Sequence, residues 1–247
     1  MEKENEVVTE PWYRTLYDHF PDYDEEPYVQ NTEAEVDFLE EQLDGDRSRR
    51  ILDVGCGTGR HVLALGRRGY RGVGLDLSAS FVRRGRAAAR REGVPVSFLV
   101  GDARRIPFDA AFEGVLILCE GGFSLMEADA MDRAILRGAR RALRPGGTLT
   151  MTAPHAPFLI AHGPAEDSFD LVTFREQFRI EATDREGRKR DLEATQRYYT
   201  CPELRCLLRG AGFEGIRFFG VTEAGYSLDT PPSRDRFEVG VVARVSS

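Results

Sequence analysis

Short apolar runs and longer segments of helical period alternate through the middle of this chain. ILDV (51–54), GVGLD (72–76), VSFLV (96–100), FEGVLILC (112–119) and TLTMTA (148–153) have strand length and strand composition. Between them, helices are expected from about Gly59 to Arg68, from Ser78 to about Arg91, and over 127–143. RPGG (144–147) ends the last of these, because proline cannot continue a helix and glycine accepts the left-handed cap. Strands spaced by helices of this length predict right-handed crossovers and a doubly wound, mostly parallel sheet.

The two ends depart from that rhythm. WYRTLYDHF (12–20) predicts a helix that is aromatic on one side, and Thr32-Glu33-Ala34-Glu35 has the form of a capping box. The helix it would open carries Val36, Leu39 and Leu43 on one face. After a helix at about 201–211, EGIRFFGV (214–221) and RFEVGVVARV (236–245) follow with no helix between them. They are therefore expected to pair antiparallel, which brings the sheet to seven strands with the last one antiparallel. Residues 155–200 alternate apolar and polar positions on both sides of DREGRK (184–189). They predict an inserted β-hairpin over the carboxyl edge of the sheet, where an α/β fold places its ligand.

Composition narrows the use of such a fold. A chain of 247 residues can bury one α/β core, so a single domain over 1–247 is expected. Its net charge of −7 argues against a protein whose main work is coating nucleic acid. No apolar run reaches bilayer-spanning length, and the polar start MEKENEVVTEPW does not have the form of a signal or transit peptide. A cytoplasmic protein without a membrane partner is expected. Cys56, Cys119, Cys201 and Cys206 are scattered and lack zinc-ligand spacing, so reduced thiols and no metal are expected.

The chemistry concentrates in DVGCGTGR (53–60). Gly55, Gly57 and Gly59 form G-x-G-x-G, and Arg60 stands where the third glycine of a dinucleotide fingerprint belongs. No Gly-Lys-Ser/Thr follows, so a Walker loop fails as well. Asp53, just ahead of the turn, would repel phosphate and suit a cationic or amine-bearing group. Asp76 ends the second strand about 20 residues after the first glycine, where Rossmann-like sites place an acid on ribose hydroxyls. A nucleoside with an amino or cationic head suits both acids.

ILDVGCGTGRH, GVGLDLS, FLVGDARRIPF, FEGVLILCEGGF and LRPGGTLTM together resemble class I S-adenosylmethionine-dependent methyltransferases, in order and at family spacing. The similarity is strong over roughly residues 30–155 and looser over the final helix and strands. It implies S-adenosylmethionine as cofactor, with Gly55, Gly57 and Gly59 passing its methionine portion and Asp53 orienting that region. It also implies Asp76 on the ribose hydroxyls, Leu77 against the adenine, and Asp102 and Ala103 on the adenine amino group and ring nitrogen. The Cys119 carbonyl would receive the methionine amino group. Residues 1–45, with Trp12, Tyr13, Tyr17 and Tyr28, would form a helical lid.

Methyl transfer from a sulfonium is an in-line displacement, and a base is needed only when the nucleophile arrives protonated. Amino-methylating enzymes of nucleic acids carry Asn/Asp-Pro-Pro-aromatic after the fourth strand, where this chain has Cys119-Glu120-Gly121-Gly122-Phe123. Glu120 and His155, which follow the fourth and fifth strands, are the candidate catalytic residues. A small-molecule acceptor methylated on N or O is the reading carried forward, with a homodimer as a possible assembly. An RNA or protein methyltransferase on the same core, and a noncatalytic S-adenosylmethionine binder, are the alternatives.

Overall fold

The computed structural model describes residues 11–18, 31–164, 169–183 and 189–246. Helices α1 (Trp12–Asp18) and α2 (Thr32–Gln42) precede the alternating region. That region runs β1 (Arg50–Val54), α3 (Arg60–Arg67), β2 (Arg71–Asp76), α4 (Ala79–Glu92), β3 (Val96–Val100), β4 (Phe112–Ile117), α5 (Asp129–Ala142) and β5 (Leu143–Pro154). Then come α6 (Ala156–His162), β6 (Phe169–Asp170), β7 (Arg175–Thr183), β8 (Lys189–Arg197) and α7 (Cys201–Gly210). Strands β9 (Glu214–Thr222), β10 (Gly225–Ser227) and β11 (Glu238–Arg244) close the chain.

The main sheet has the order β10-β9-β11-β5-β4-β1-β2-β3. Strands β1 to β5 pair in parallel, and β11 lies antiparallel between β5 and β9. The sheet thus has eight strands where seven are expected. The extra one arises because Gly225–Ser227 folds back antiparallel on the end of β9. The inserted hairpin is present as β7 and β8, joined by β6 into a separate three-stranded antiparallel sheet. RPGG lies inside the residues assigned to β5. There the register with β4 shifts between the Phe112–Leu143 and Gly114–Thr148 pairs, an irregularity that absorbs the proline.

Successive strand residues point to opposite faces, and both faces are covered. Leu52, Val54, Val115, Ile117, Leu149 and Met151 pack on one side with α5 and α7 residues such as Ile135, Leu136, Leu204 and Leu208. Ile51 and Leu116 pack on the other with Val36, Leu39, Ala64 and Leu65 of α2 and α3. A third cluster beside them joins Val62, Val82 and Ala89 to Phe98 of β3. No helix among the described residues is long and apolar enough to cross a membrane.

The expected capping box does not form. The N-cap of α2 is Asn31, without a side-chain cap bond. Thr32 and Glu35, the two residues of the signature, are instead drawn to Arg60. The capping box that does form lies at α7, where the Thr200 hydroxyl and the Glu203 carboxylate exchange backbone bonds.

Candidate functional site

The carboxyl ends of β1 to β4 surround a cavity of about 340 Å³. Gly55, Gly57, Asp76, Leu77, Asp102, Ala103 and Cys119 line it, together with Glu120, Gly121 and Gly122. Tyr13, Arg14 and Tyr17 of α1 close one side, and Phe237 and Glu238 at the start of β11 contribute another. Most of the sequence-predicted cofactor residues therefore share one space. Asp53, Gly59 and His155 are not among its lining residues. Tyr28 falls outside the described residues.

The glycines divide their labour. A Cβ on Gly55, where φ is +64°, would lie 2.3 to 2.5 Å from the backbone of Gly121. A Cβ on Gly121 would lie 2.5 Å from the Val54 carbonyl. The β1 and β4 loops thus interlock backbone to backbone. Gly59 is the left-handed N-cap of α3, and its open side accepts the ring of Phe98 at 2.4 Å from an added Cβ. It serves packing and the turn rather than the cavity wall.

The acids are likewise placed by the backbone. The amides of Gly57 and Ser78 donate to the two oxygens of Asp76, both at 2.8 Å. Asp76 therefore holds the glycine turn as well as facing the cavity. Asp102 accepts from the Arg104 amide at 2.8 Å and is paired with its guanidinium, a contact that leaves it partly exposed. Asp53 is 2% exposed, with its Oδ2 unpartnered among the described residues. Burial pushes its carboxyl up to about 7, against the opposing charge of Arg60.

Arg60 is the hub beneath this floor. Its guanidinium donates to Thr32 Oγ1 at 3.0 Å, to Glu35, and to the Cys119 sulfur at 2.9 Å. Burial works to raise Glu35, but hydrogen bonds and charges from His61 and Arg60 outweigh it and hold the carboxyl at about 2. Burial and the Arg60 charge hold His61 down to about 4, so the neutral ring donates from Nε2 to Glu35 at 2.8 Å.

Above Arg60 the chain runs through positive φ at Cys119 (47°), Glu120 (72°), Gly121 (51°), Gly122 (85°) and Ser124 (76°). Such backbone is uncommon for residues with side chains, and each costs on the order of 1–3 kcal/mol unless neighbours enforce it. The anchors are visible at both ends. Cys119 N donates to Thr152 Oγ1 at 2.9 Å, and Ser124 N donates to the buried Asp132 at 2.9 Å. This turn carries Glu120 to the cavity.

Glu120 accepts from the amide of Gln196, at the end of β8, so the inserted sheet reaches the cavity through that contact. Glu238, also lining it, accepts from Thr152 Oγ1 at 2.6 Å. Burial, reinforced by the Glu238 charge, pushes Glu120 up to about 8, and burial pushes Glu238 up to about 7. His155, expected at this edge as a base, sits elsewhere. It is 5% exposed, with Nδ1 3.2 Å from the Ser233 carbonyl and Nε2 3.8 Å from the Cys201 sulfur.

Sequence reasoning passes over Glu238, Thr152, Gln196 and Arg60. Glu238 had a usable signal: an antiparallel last strand delivers its first residues, not its last, to the carboxyl edge. Thr152 and Gln196 carry no such mark, because only tertiary contact selects them. Among the described residues no group of three or more His, Cys, Asp or Glu side chains could hold a metal ion.

These groups give the ligand-free protein a signed pH dependence. Burial also raises Asp132, to about 6. Asp53, Glu120, Glu238 and Asp132 keep protons in the folded chain that carboxyls near 4 have released in the unfolded one. Their contribution is full below about pH 4 and is lost as pH rises through the folded values. His61 works oppositely, but only below its ordinary 6.5. The melting temperature is therefore expected to fall between about pH 6.5 and 8. A midpoint that stays level or rises over that window contradicts these assignments.

Comparison with known proteins agrees with this geometry. Residues 51–147 match a family model described as a methyltransferase domain. A ubiquinone/menaquinone biosynthesis C-methyltransferase from Yersinia enterocolitica is 28% identical over 182 residues, which cover 71% of this chain and 70% of that protein. A tRNA 5-carboxymethoxyuridine methyltransferase from Escherichia coli is 30% identical over 130 residues, 52% of this chain and 49% of the relative. Among solved structures, the CcbJ methyltransferase from Streptomyces caelestis superposes with a TM-score of 0.74 at 18% identity, covering 95% of this chain and 99% of that one. The last comparison speaks to the fold alone, whereas the matched domain and its five motifs speak to the chemistry. Residues 51–147 thus match a methyltransferase domain, and the findings support a class I S-adenosylmethionine-dependent methyltransferase with S-adenosylmethionine as cofactor.

Proposed function

We propose that this enzyme transfers a methyl group from S-adenosylmethionine to N or O of a small-molecule acceptor. The observation that carries the reading is the end of the cavity where Glu120 and Glu238 meet, with Gln196 of the inserted sheet bonded to Glu120. A cavity closed on one side by Tyr13 (4% exposed) and reached by β8 suits a compact acceptor better than a duplex or a folded protein.

The residues present fit the cofactor. Leu77 and Ala103 offer apolar wall, Asp76 and Asp102 offer acceptors, and the buried Tyr13 hydroxyl, without a partner among the described residues, is open to a ligand bond. Asp76 would accept from ribose hydroxyls while its backbone bonds hold the glycine turn. Asp102 would accept from the adenine amino group, and the Gly55–Gly57 turn and the Cys119 carbonyl would flank the methionine end. When bound, S-adenosylmethionine supplies an electrophilic methyl on a sulfonium. The chain's own part is to orient the acceptor, exclude water, and hold or take its proton at Glu120.

Asp76→Ala is expected to weaken S-adenosylhomocysteine binding at least tenfold by calorimetry, about 1.4 kcal/mol. Unchanged affinity would remove Asp76 from the site. The class of acceptor is tested with labelled methyl groups offered to separate pools of metabolites, total RNA and protein. Label is expected in the metabolite pool. Label in RNA or protein replaces this reading by the macromolecular one, and cofactor binding with no label in any pool replaces it by a noncatalytic binder.

A further inference from the structure

The acceptor end of the cavity is chemically one-sided. Glu120 and Glu238 both line it, and neither has an ion-pair partner among the described residues. Their protein contacts are an amide from Gln196 and a hydroxyl from Thr152. The cations nearby are committed: Arg60 to Glu35, Thr32 and Cys119, Arg104 to Asp102, and Arg14 of α1, which also lines the cavity, to an interaction of its own. Phe237, next to Glu238 in sequence, also lines the cavity and leaves 39% of its surface open. Two carboxyls and a partly exposed aromatic ring, itself in T-shaped contact with Phe158 and Tyr198, form a setting for a cation.

A second observation comes from the wall of the same cavity. Tyr13 is 4% exposed, yet its hydroxyl finds no hydrogen-bond partner among the described residues. A buried hydroxyl left unbonded is costly, so the cavity is built around a ligand that supplies the missing bonds.

We infer that the acceptor is an amine, bound as its ammonium ion, whose proton is taken by Glu120 while Glu238 and Phe237 hold the positive charge. This rests on the small-molecule reading above and specifies it. Binding of the ammonium ion displaces to solvent the proton that Glu120 holds in the ligand-free protein. In the reaction an N–H bond then breaks and its proton passes to the resulting Glu120 carboxylate, freeing the nitrogen lone pair. That lone pair forms the N–CH3 bond as the C–S bond breaks, leaving its electron pair on sulfur. The positive charge that leaves the sulfonium ends on the methylated amine, beside Glu238. An aliphatic hydroxyl or a carbon acid would need a far stronger base than a carboxylate, whereas an ammonium group and a buried carboxyl are matched for proton transfer.

The groups facing this pair favour the same assignment. Glu238 feels Glu35 and Arg60, and Glu120 feels Glu238 as a like charge. Tyr198 and Tyr226 stand near them as phenols pushed up by burial, and the Cys119 thiol is raised likewise. Arg60 is the one cation among these, and it is already paired with Glu35, so the countercharge is left for an incoming ammonium to bring.

The test uses the full chain, labelled S-adenosylmethionine and a metabolite extract, with the labelled product identified by cation exchange and mass spectrometry. The expected product is an N-methylated amine. Glu120→Gln should lower kcat at least ~100-fold with S-adenosylhomocysteine affinity within about twofold. Glu238→Gln should raise the KM of the identified amine about tenfold, through loss of a charged contact. An O-methyl or C-methyl product overturns the amine while leaving a small-molecule acceptor in place. Label in RNA or protein, or in nothing, overturns both. Glu120→Gln turning over like the wild type removes Glu120 from proton transfer, and product identification on the wild type stands whether or not that variant folds.

Discussion

Gly55→Ala is expected to lower the unfolding free energy by about 2–4 kcal/mol and to abolish measurable cofactor binding. Two costs add. A residue with a Cβ in left-handed backbone loses about 1 kcal/mol or more relative to glycine. Overpacking adds about 1–3 kcal/mol when atoms cannot move aside, and here the obstacle is the Gly121 backbone at 2.3 Å. Gly45 separates the two terms, since its φ is also +64° but an added Cβ would meet nothing within 4 Å. Urea unfolding of Gly45→Ala should show the backbone cost alone. If Gly55→Ala unfolds no more easily than Gly45→Ala, the interlock between the two loops does not exist as described.

The second large effect belongs to Arg60. Its side chain is 9% exposed and that of Glu35 is 8% exposed, so their ion pair is buried. Removing one partner of such a pair leaves a charge without compensation, at about 3–5 kcal/mol. Arg60→Met should cost about 3 kcal/mol, the lower end, because His61 remains beside Glu35 and can take a proton in place of the lost cation. Glu35→Gln should cost less in the Arg60→Met background than in the wild type. A double-mutant cycle by denaturant unfolding measures this, and strict additivity would show that the pair is not coupled.

The five parallel strands are legible because each is a short apolar run bounded by a helical period, a signal confined to neighbouring residues. The glycine turn is legible for a related reason: Asp76 and Asp102 stand at strand ends, and strand ends share an edge. Elsewhere a local signal is overruled from a distance. Thr32 and Glu35 spell a capping box, yet Arg60, far along the chain, competes for both side chains and prevails. Gly59 belongs to the same glycine string as Gly55, yet it answers to the ring of Phe98 on β3. His155 follows a strand at the active edge, yet it is buried with its nitrogens beside Ser233 and Cys201 and is not among the cavity's lining residues. Strand β10, at three residues, is too short to leave a period at all.

Arg60 also bears on how far this chain stands from a dinucleotide-binding turn. On paper one substitution, Arg60→Gly, would complete the dinucleotide fingerprint G-x-G-x-x-G. In the folded protein that letter holds the guanidinium on which Thr32, Glu35 and the Cys119 sulfur converge, and only His61 would remain against Glu35 in the core. The two fingerprints are neighbours as strings and distant as proteins. Changing that one letter would therefore cost the fold its buried ion pair before it offered a phosphate any new contact.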